Sequence, residues 1–405
     1  MSFQQGLSGL NASSKNLDVI GNNVANANTA GFKQGAATFG DVFAASLSGG
    51  SGTQIGIGTQ LSSVTQLFSQ GNITVSNNPL DVAINGKGFF RMSDGGAITY
   101  TRNGGFALDA NGFIVDAKGN HLTGFQAANG QVVPGVITDL QLSSADLLPS
   151  ATSGSTVGVN LASNSQVLPS AAFAPANPLT YNFSTSSSCY DSLGQSHTMT
   201  YYFNKTGANS WDVNTYIDGA AANGAGVTTL TFGSNGLIAA ATPPTNTNKT
   251  ALLANGAAPL SIDIDFSAMT QFGTTFGVNA LSQDGFASGQ LSGYSIGNDG
   301  TIQGRYTNGQ SQALGQIVLS NFTNPQGLSP LGDSMWAETP ASGGSLTGSP
   351  GTASLGVLQS AAKEDSNVDL TAELVNMITA QRVDQANAQT IKAQDALLQT
   401  LVNLR

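Results

Sequence analysis

The stretch Asn367 to Arg405, NVDLTAELVNMITAQRVDQANAQTIKAQDALLQTLVNLR, decides how this chain is read. Within it Leu370, Leu374, Met377, Gln381, Asp384, Ala388, Ile391, Asp395, Leu398 and Val402 recur at alternating spacings of four and three, the seam period of a coiled coil. Gly356 is the last Gly or Pro before Arg405, and Ser366 with Asp369 three positions on forms a capping-box pattern, so a helix from about 367 to 404 is expected. At 1.5 Å per residue it spans on the order of 55 Å. The other end carries a matching stripe, Phe3, Leu7, Leu10, Ser14, Leu17, Gly21 and Val24. That stripe is only about three heptads long and includes Gly6, Gly9 and Gly21, each costing roughly 1 kcal/mol against Ala, so alone it is marginal. The two ends therefore need each other or a neighbour. Phe3, Leu7, Leu10, Leu17, Val24, Leu370, Leu374, Met377, Ile391, Leu398 and Val402 form the candidate polymerisation seam of a subunit that assembles through its ends.

Everything between the ends reads as β. Gly31 closes the first helical pattern, and residues 34–70 are rich in Gly, Ser, Thr and Gln with short β-like runs such as Leu61 to Phe68, which reads as an extended connector. From Gln70 the period changes to two, with runs such as Leu80 to Ile84 and Gly88 to Met92 broken by Asn-Gly, Asp-Gly and Gly-Gly turns. One spacing recurs three times: Leu108, Asn111, Gly112, Ile114; Phe232, Asn235, Gly236, Ile238; and Ile296, Asp299, Gly300, Ile302. Each is a tight-hairpin signal. The first and third copies share a preceding Gly-aromatic pair, Gly105-Phe106 and Gly293-Tyr294, which assigns them to one β domain with a second inserted between them. The expected fold is mainly β with a terminal α-helical coiled coil. Residues 1–32 and 361–405 are the helices, 33–70 and 343–360 the connectors, 71–145 and 285–342 the first β domain, and 146–284 the inserted one.

Composition narrows the function classes. Only 9% of the residues are charged, against about 25% in an ordinary soluble domain, and the formal charge is −10. Residues 143–284 supply half of that charge, through seven aspartates against Lys205 and Lys249. Such a surface speaks against nucleic acid or anionic lipid, which need clustered Lys and Arg. No run approaches the roughly 18 apolar residues of a membrane span, so no membrane insertion is expected. The start, MSFQQGLSGLNASSKNLDVIGNN, lacks the parts of a secretory signal, so any export is expected to be unprocessed. Cys189 is the single cysteine, read as a tolerated thiol.

Several constellations resemble chemistry and resolve more simply. Asp191, Ser196 and His197 are the residue types of a hydrolase triad, but neighbours on a strand point to opposite faces, so Ser196 and His197 cannot pair. His121 has no acidic or thiol cluster at zinc spacing. Asp263 and Asp265 share one strand face about 6.5 Å apart, within reach of paired glycosidase carboxylates. Ile262, Ile264 and Phe266 occupy the other face, making the aspartates an exposed edge. The run DANGFIVD, Asp109 to Asp116, lacks the spacing and terminal Glu of a calcium loop, and Gly86-Lys87-Gly88 lacks phosphate-loop spacing. Neither a cofactor nor a metal is expected, nor an enzymatic activity.

Three segments carry a family resemblance. NNVANANTAGFK, Asn22 to Lys33, QGNITVSNNPLDVAINGKGFF, Gln70 to Phe90, and the stretch from Asn367 to Arg405 are similar to segments of the bacterial flagellar axial family of rod and hook subunits. The motif residues are Asn22, Asn23, Ala25, Asn26, Thr29, Gly31 and Phe32. CYDSLGQSHTMTYYF, Cys189 to Phe203, and SIDIDFSAMTQFG, Ser261 to Gly273, resemble outer-domain segments of the hook branch. The resemblance implies a helical homopolymer exported by the flagellar type III apparatus, with hook-cap, distal-rod and hook–filament junction proteins as partners. It places the chain at the flagellar hook on the cell exterior, with the terminal helices innermost and the inserted domain outermost. A spirochaete branch crosslinks subunits through a cysteine in this region and a lysine, which makes a crosslink at Cys189 the less favoured of two readings. A distal rod subunit is the near alternative and a secreted glycan-binding or hydrolytic β protein the remote one.

Overall fold

The computed structural model describes residues 2–42, 56–143, 145–224, 227–242 and 246–403. The chain divides into two compact units, one of residues 1–144, 293–304 and 311–405, the other of residues 145–292 and 305–310. The chain returns from the second unit at Ser292, eight residues beyond the return read from the sequence, and the tip Arg305–Gln310 also belongs to that unit.

The first unit joins two terminal helices, α1 (Ser2–Ala25) and α2 (Leu370–Asn403), to a β body. Its largest sheet runs through the strands Leu291–Ile296, Thr301–Tyr306, Ser311–Ile317, His121–Ala128, Phe89–Asp94, Ala97–Thr101, Met335–Ala337 and Ser329–Gly332. One core gathers Phe90, Met92, Leu122, Ile302 and Ile317 of this sheet with Val82 and Ile84 of the strand Val82–Asn85 and with Ile114. A second, aromatic core gathers Phe89, Tyr100, Phe322 and Trp336, with Phe68 packed against it in edge-on ring contacts. Segment 33–70 contains a hairpin. The strands β1 (Gly35–Val42) and β2 (Gly58–Gln66) pair antiparallel, and β2 reaches the aromatic core through Trp336 Nε1, which donates to Gln66 Oε1 at 2.5 Å. Residues 43–55 lie outside the described residues.

The second unit is a sandwich. One sheet centres on Gly154–Ala162, flanked by Leu260–Asp265 and Thr270–Phe272 on one side and Gly277–Gln283 on the other. The other sheet runs Phe183–Tyr190, Ser196–Gly207, Ser210–Ile217, Thr228–Phe232, Ile238–Thr242. Their inner faces share one core that includes Val157, Val159, Tyr201, Phe203, Trp211, Ile262, Ile264 and Phe266. Asp263 and Asp265 alternate to the outside, as period two requires. The three recurrent hairpin signals turn at Gly112, Gly236 and Gly300, with φ of +84°, +73° and +81°. Only glycine takes that backbone region at no steric cost.

Candidate functional site

The helical ends close on their own chain. α1 and α2 run antiparallel: a Cβ on Gly6 would stand 3.0 Å from Ile391 Cγ1, one on Gly9 would stand 2.8 Å from Asn387 Nδ2, and Ser13 Oγ donates to Asp384 Oδ1 at 3.0 Å. Gly6, Ser13, Ile20 and Asn23 are buried, with Gly9 and Asn16 half-buried between them. This row repeats at three and four, but stands one residue behind the apolar stripe, about 100° round the helix. Small side chains at the seam let the backbones approach, so the pair is held by fit and polar bonds rather than by a leucine ridge.

The candidate seam residues are therefore split. Phe3 and Leu7 on α1 are 45% and 44% exposed, and Leu10, Leu17 and Val24 are half-buried. On α2 Met377 and Ile391 are half-buried, and Ile391 meets Gly6. Leu370, Leu374 and Leu398 are exposed, at 41%, 49% and 55%. The side chain of Val402 lies outside the described residues. Because Gly6 faces Ile391, the last two turns of α2 run beyond the first residue of α1, with Leu397 and Leu398 uncovered.

At its far end the helix pair is tied into the β body by the segment Asn22 to Lys33. Asn23 mimics a strand partner, its Nδ2 donating to the Gly35 carbonyl at 2.8 Å and its Oδ1 accepting from the Gly35 N–H at 2.9 Å. Asn26 Nδ2 donates to the Asn22 carbonyl and side chain, and Thr29 Oγ1 donates to Asn26 Oδ1, which folds the turn after α1. Gly31, at φ +71°, donates its N–H to the Glu364 carbonyl, and any Cβ there would stand 2.5 Å from the Asn103 nitrogen. Ala25 is exposed and Phe32 half-buried. Next to this turn Glu364 is fully buried between Lys33 Nζ at 2.7 Å and Arg102 Nη1 at 3.1 Å. Burial pulls Lys33 below the usual lysine range, against the charge and hydrogen bond of Glu364. Lys33 also donates to the Ser69 carbonyl, Arg102 to the Gly86 carbonyl, and the Gly71 N–H to Glu364. Breaking such a cluster by removing one partner costs about 3–5 kcal/mol.

The N-cap of α2 is Asp369, whose Oδ1 accepts from the Thr371 and Ala372 N–H groups at 2.8 and 3.1 Å. The capping box expected from Ser366 does not form, because Ser366 Oγ instead accepts from Val368 N before the helix begins. Sequence reading also missed Gly6, Gly9, Ser13, Lys33, Arg102 and Glu364. A heptad of small residues one step behind the stripe is the signal that finds the first three, whereas nothing local links Glu364 to partners 331 and 262 positions away.

The remaining candidates resolve structurally. Cys189 is buried, and that burial, followed by the charges of Asp218 and Asp191, pushes its thiol up to about 11, which disfavours the thiolate form. His197 sits between two carboxylates, its Nδ1 2.5 Å from Asp218 Oδ2 and its Nε2 3.2 Å from Asp191 Oδ2, leaving no ring nitrogen for a serine. Asp263 and Asp265 border an open cleft of about 430 Å³ lined by Gly154, Ser155, Thr156, Ser282, Gln283 and Asp284, without an aromatic wall. Among the described residues no group of three or more His, Cys, Asp or Glu is placed to hold a metal ion. No described helix is long and apolar enough to cross a membrane.

Known proteins match this architecture in chain order. The flagella basal body rod protein family matches residues 3–33, the flagellar hook protein FlgE/F/G D1 domain 83–150, the flagellar basal body protein FlaE D2 domain 160–286, and the flagellar basal body rod FlgEFG protein C-terminal region 359–404. Over its whole length and theirs the chain is 42% identical to the flagellar hook proteins FlgE of Escherichia coli and Salmonella typhimurium. It is 33% identical to that of Rhizobium meliloti, covering all of this chain and 98% of that one. The crystal structure of Helicobacter pylori flagellar hook protein FlgE2 shares the fold, with a TM-score of 0.52 at 16% identity over 72% of this chain and 99% of that one. Full-length identity to several hook proteins, with helical ends and both β regions matched in sequence order, means that this chain belongs to the flagellar hook protein family.

Proposed function

We propose that the chain is the structural subunit of the bacterial flagellar hook and polymerises through its helical ends into a curved hollow tube, the flexible joint that passes torque from rod to filament. The observation that carries this reading is the one-residue offset on α1. Packing inside the chain consumes the small-residue row and leaves Phe3 and Leu7 nearly half exposed, a face suited to a neighbouring subunit. We assign residues 1–32 and 361–405 to the inner layer, 71–145 and 285–342 to the middle layer and 146–284 to the outer layer. Export through the flagellar type III apparatus, and contacts with the hook cap, distal rod and hook–filament junction proteins, complete the proposal. The role is mechanical rather than catalytic.

The compact sandwich of residues 145–292 argues against the distal-rod alternative, which predicts no independently folded outer domain. The open, non-aromatic cleft at Asp263 and Asp265 argues against a glycan site. The test is Leu7→Asp. Because Leu7 is nearly half exposed in the single chain, the monomer should keep its circular dichroism and melting temperature. A carboxylate buried without a partner costs several kcal/mol, so tubes should vanish from electron micrographs at concentrations where the parent assembles. Normal tubes from Leu7→Asp would refute assembly through this face.

A further inference from the structure

A groove of about 680 Å³ runs between α1, α2 and the β1–β2 hairpin. Its walls set the apolar Ala12, Val19, Phe39 and Val383 beside polar side chains such as Asn16 and Asn376. Glu373 also lines it and is 3% exposed. One of its oxygens accepts from Gln34 Nε2, while the other is buried with no partner. An unpaired buried carboxylate oxygen is rare in a native protein and calls for a donor from elsewhere. An occupant that matches it brings apolar side chains together with a hydrogen-bond donor, and a cation is the strongest donor to a carboxylate.

The terminal helices offer one such face. Val375, Ile378 and Arg382 stand at spacings of three and four on α2, all exposed, and Arg382 makes no ion pair among the described residues. The apolar stripe of α1 has no cation in its row, and Lys15 beside it is already paired with Asp18. The groove residues of α2, Glu373, Asn376, Ala380 and Val383, occupy a separate face, roughly 80–180° from the ridge residues at 100° per residue. A groove and a ridge on separate faces of one helix serve two different contacts, one with each neighbour. They generate a head-to-tail contact that propagates.

We propose that the groove receives the Val375–Ile378–Arg382 ridge of a second copy, with Arg382 donating to the free oxygen of Glu373. The proposal rests on the reading that the chain self-assembles through its helical ends, and it names the contact. The experiment measures the critical concentration for seeded polymerisation of the full-length chain by sedimentation. Arg382→Glu, at a position exposed in the single chain, should raise it at least tenfold. Lys87→Glu makes the same charge change on the exposed surface of the β body and should leave it within twofold. Glu373→Gln keeps an acceptor for Gln34 and should raise it about threefold or more. Combining it with Arg382→Glu should add less than the product of the two single effects, since both remove one contact. An unchanged critical concentration for Arg382→Glu overturns the proposal, and so does an equal loss from Lys87→Glu, which would make the effect one of net charge. If Leu7→Asp blocks assembly while Arg382→Glu assembles normally, only this contact falls. If neither change affects assembly, the underlying reading falls with it.

Discussion

At the scale of single residues, the second unit carries a proton-dependent clamp. Partial burial pulls His197 down, but hydrogen bonds and charges from Asp218 and Asp191 outweigh it and raise its pKa. Burial also opposes the Asp191 carboxylate, yet hydrogen bonds from Asn255, the Gln195 backbone, His197 and the Leu193 backbone hold it at about 2. Asp218 is lowered in the same sense: burial opposes its charged form, and bonds from His197 and the Thr198 backbone prevail. A raised histidine stabilises the fold fully below its unfolded value of about 6.5 and loses that contribution as pH rises through its folded value. The lowered aspartates contribute above about 4 and lose their share as pH falls toward 2. The urea midpoint of the second unit should therefore be highest between about pH 4 and 6.5, and His197→Gln should flatten its decline on the alkaline side. A wild-type midpoint that rises above pH 7 would contradict the clamp. Little of this was legible beforehand, since the sequence places Asp191 near His197 but Asp218 arrives from the next strand.

At the scale of elements, the period of both helices was readable and the phase of their pairing was not. Hydrophobicity marks the strongest apolar row, and on α1 that row is Phe3, Leu7, Leu10 and Leu17, whereas the row used within the chain is Gly6, Gly9, Ser13 and Ile20. Glycine and serine give no hydrophobic signal, so burial through close approach is invisible to periodicity. In the β1–β2 hairpin the run Leu61 to Phe68 reads as β-like in the sequence, but its pairing with β1 does not, because the Gly- and Ala-rich β1 carries no apolar alternation. The glycines of α1 differ in their demands. A Cβ on Gly6 meets Ile391 at 3.0 Å, while one on Gly21 meets nothing within 4 Å. Gly21→Ala should thus stabilise α1 by up to ~1 kcal/mol through helix propensity, whereas Gly6→Leu should force the pair apart. Thermal melts followed at 222 nm separate the two, and a destabilised Gly21→Ala would show that its backbone is needed for something other than helix.

At the scale of the molecule, the expectation of an inserted region rests on three hairpin signals that share a spacing while only two share their flanks. The second compact unit ends at Ser292, on a strand that continues into the first unit and leaves no compositional break. Each unit has its own core. Replacing residues 146–284 by a short Gly/Ser bridge should leave the first unit folded, with tubes that still form but are thinner and straight in electron micrographs. A folded truncated chain that forms no tube would show that the outer unit is needed for assembly itself.

The two short ladders beneath the helices have a directional consequence. Ile73–Val75 pairs antiparallel with Ala362–Glu364, and Val82–Asn85 with Val357–Ser360, so the strand leading to α2 leaves the β body beside the strand that follows the β1–β2 hairpin. Traction applied to both helices together moves these strands as one ribbon and leaves the rungs between them unloaded. Prising the helices apart instead concentrates stress on the Ile73–Glu364 rung, where failure proceeds like a zipper. The Glu364 side chain, clasped by Lys33 and Arg102, rivets that vulnerable end. The joint is therefore anisotropic, resistant along the direction of pull and yielding only to splay.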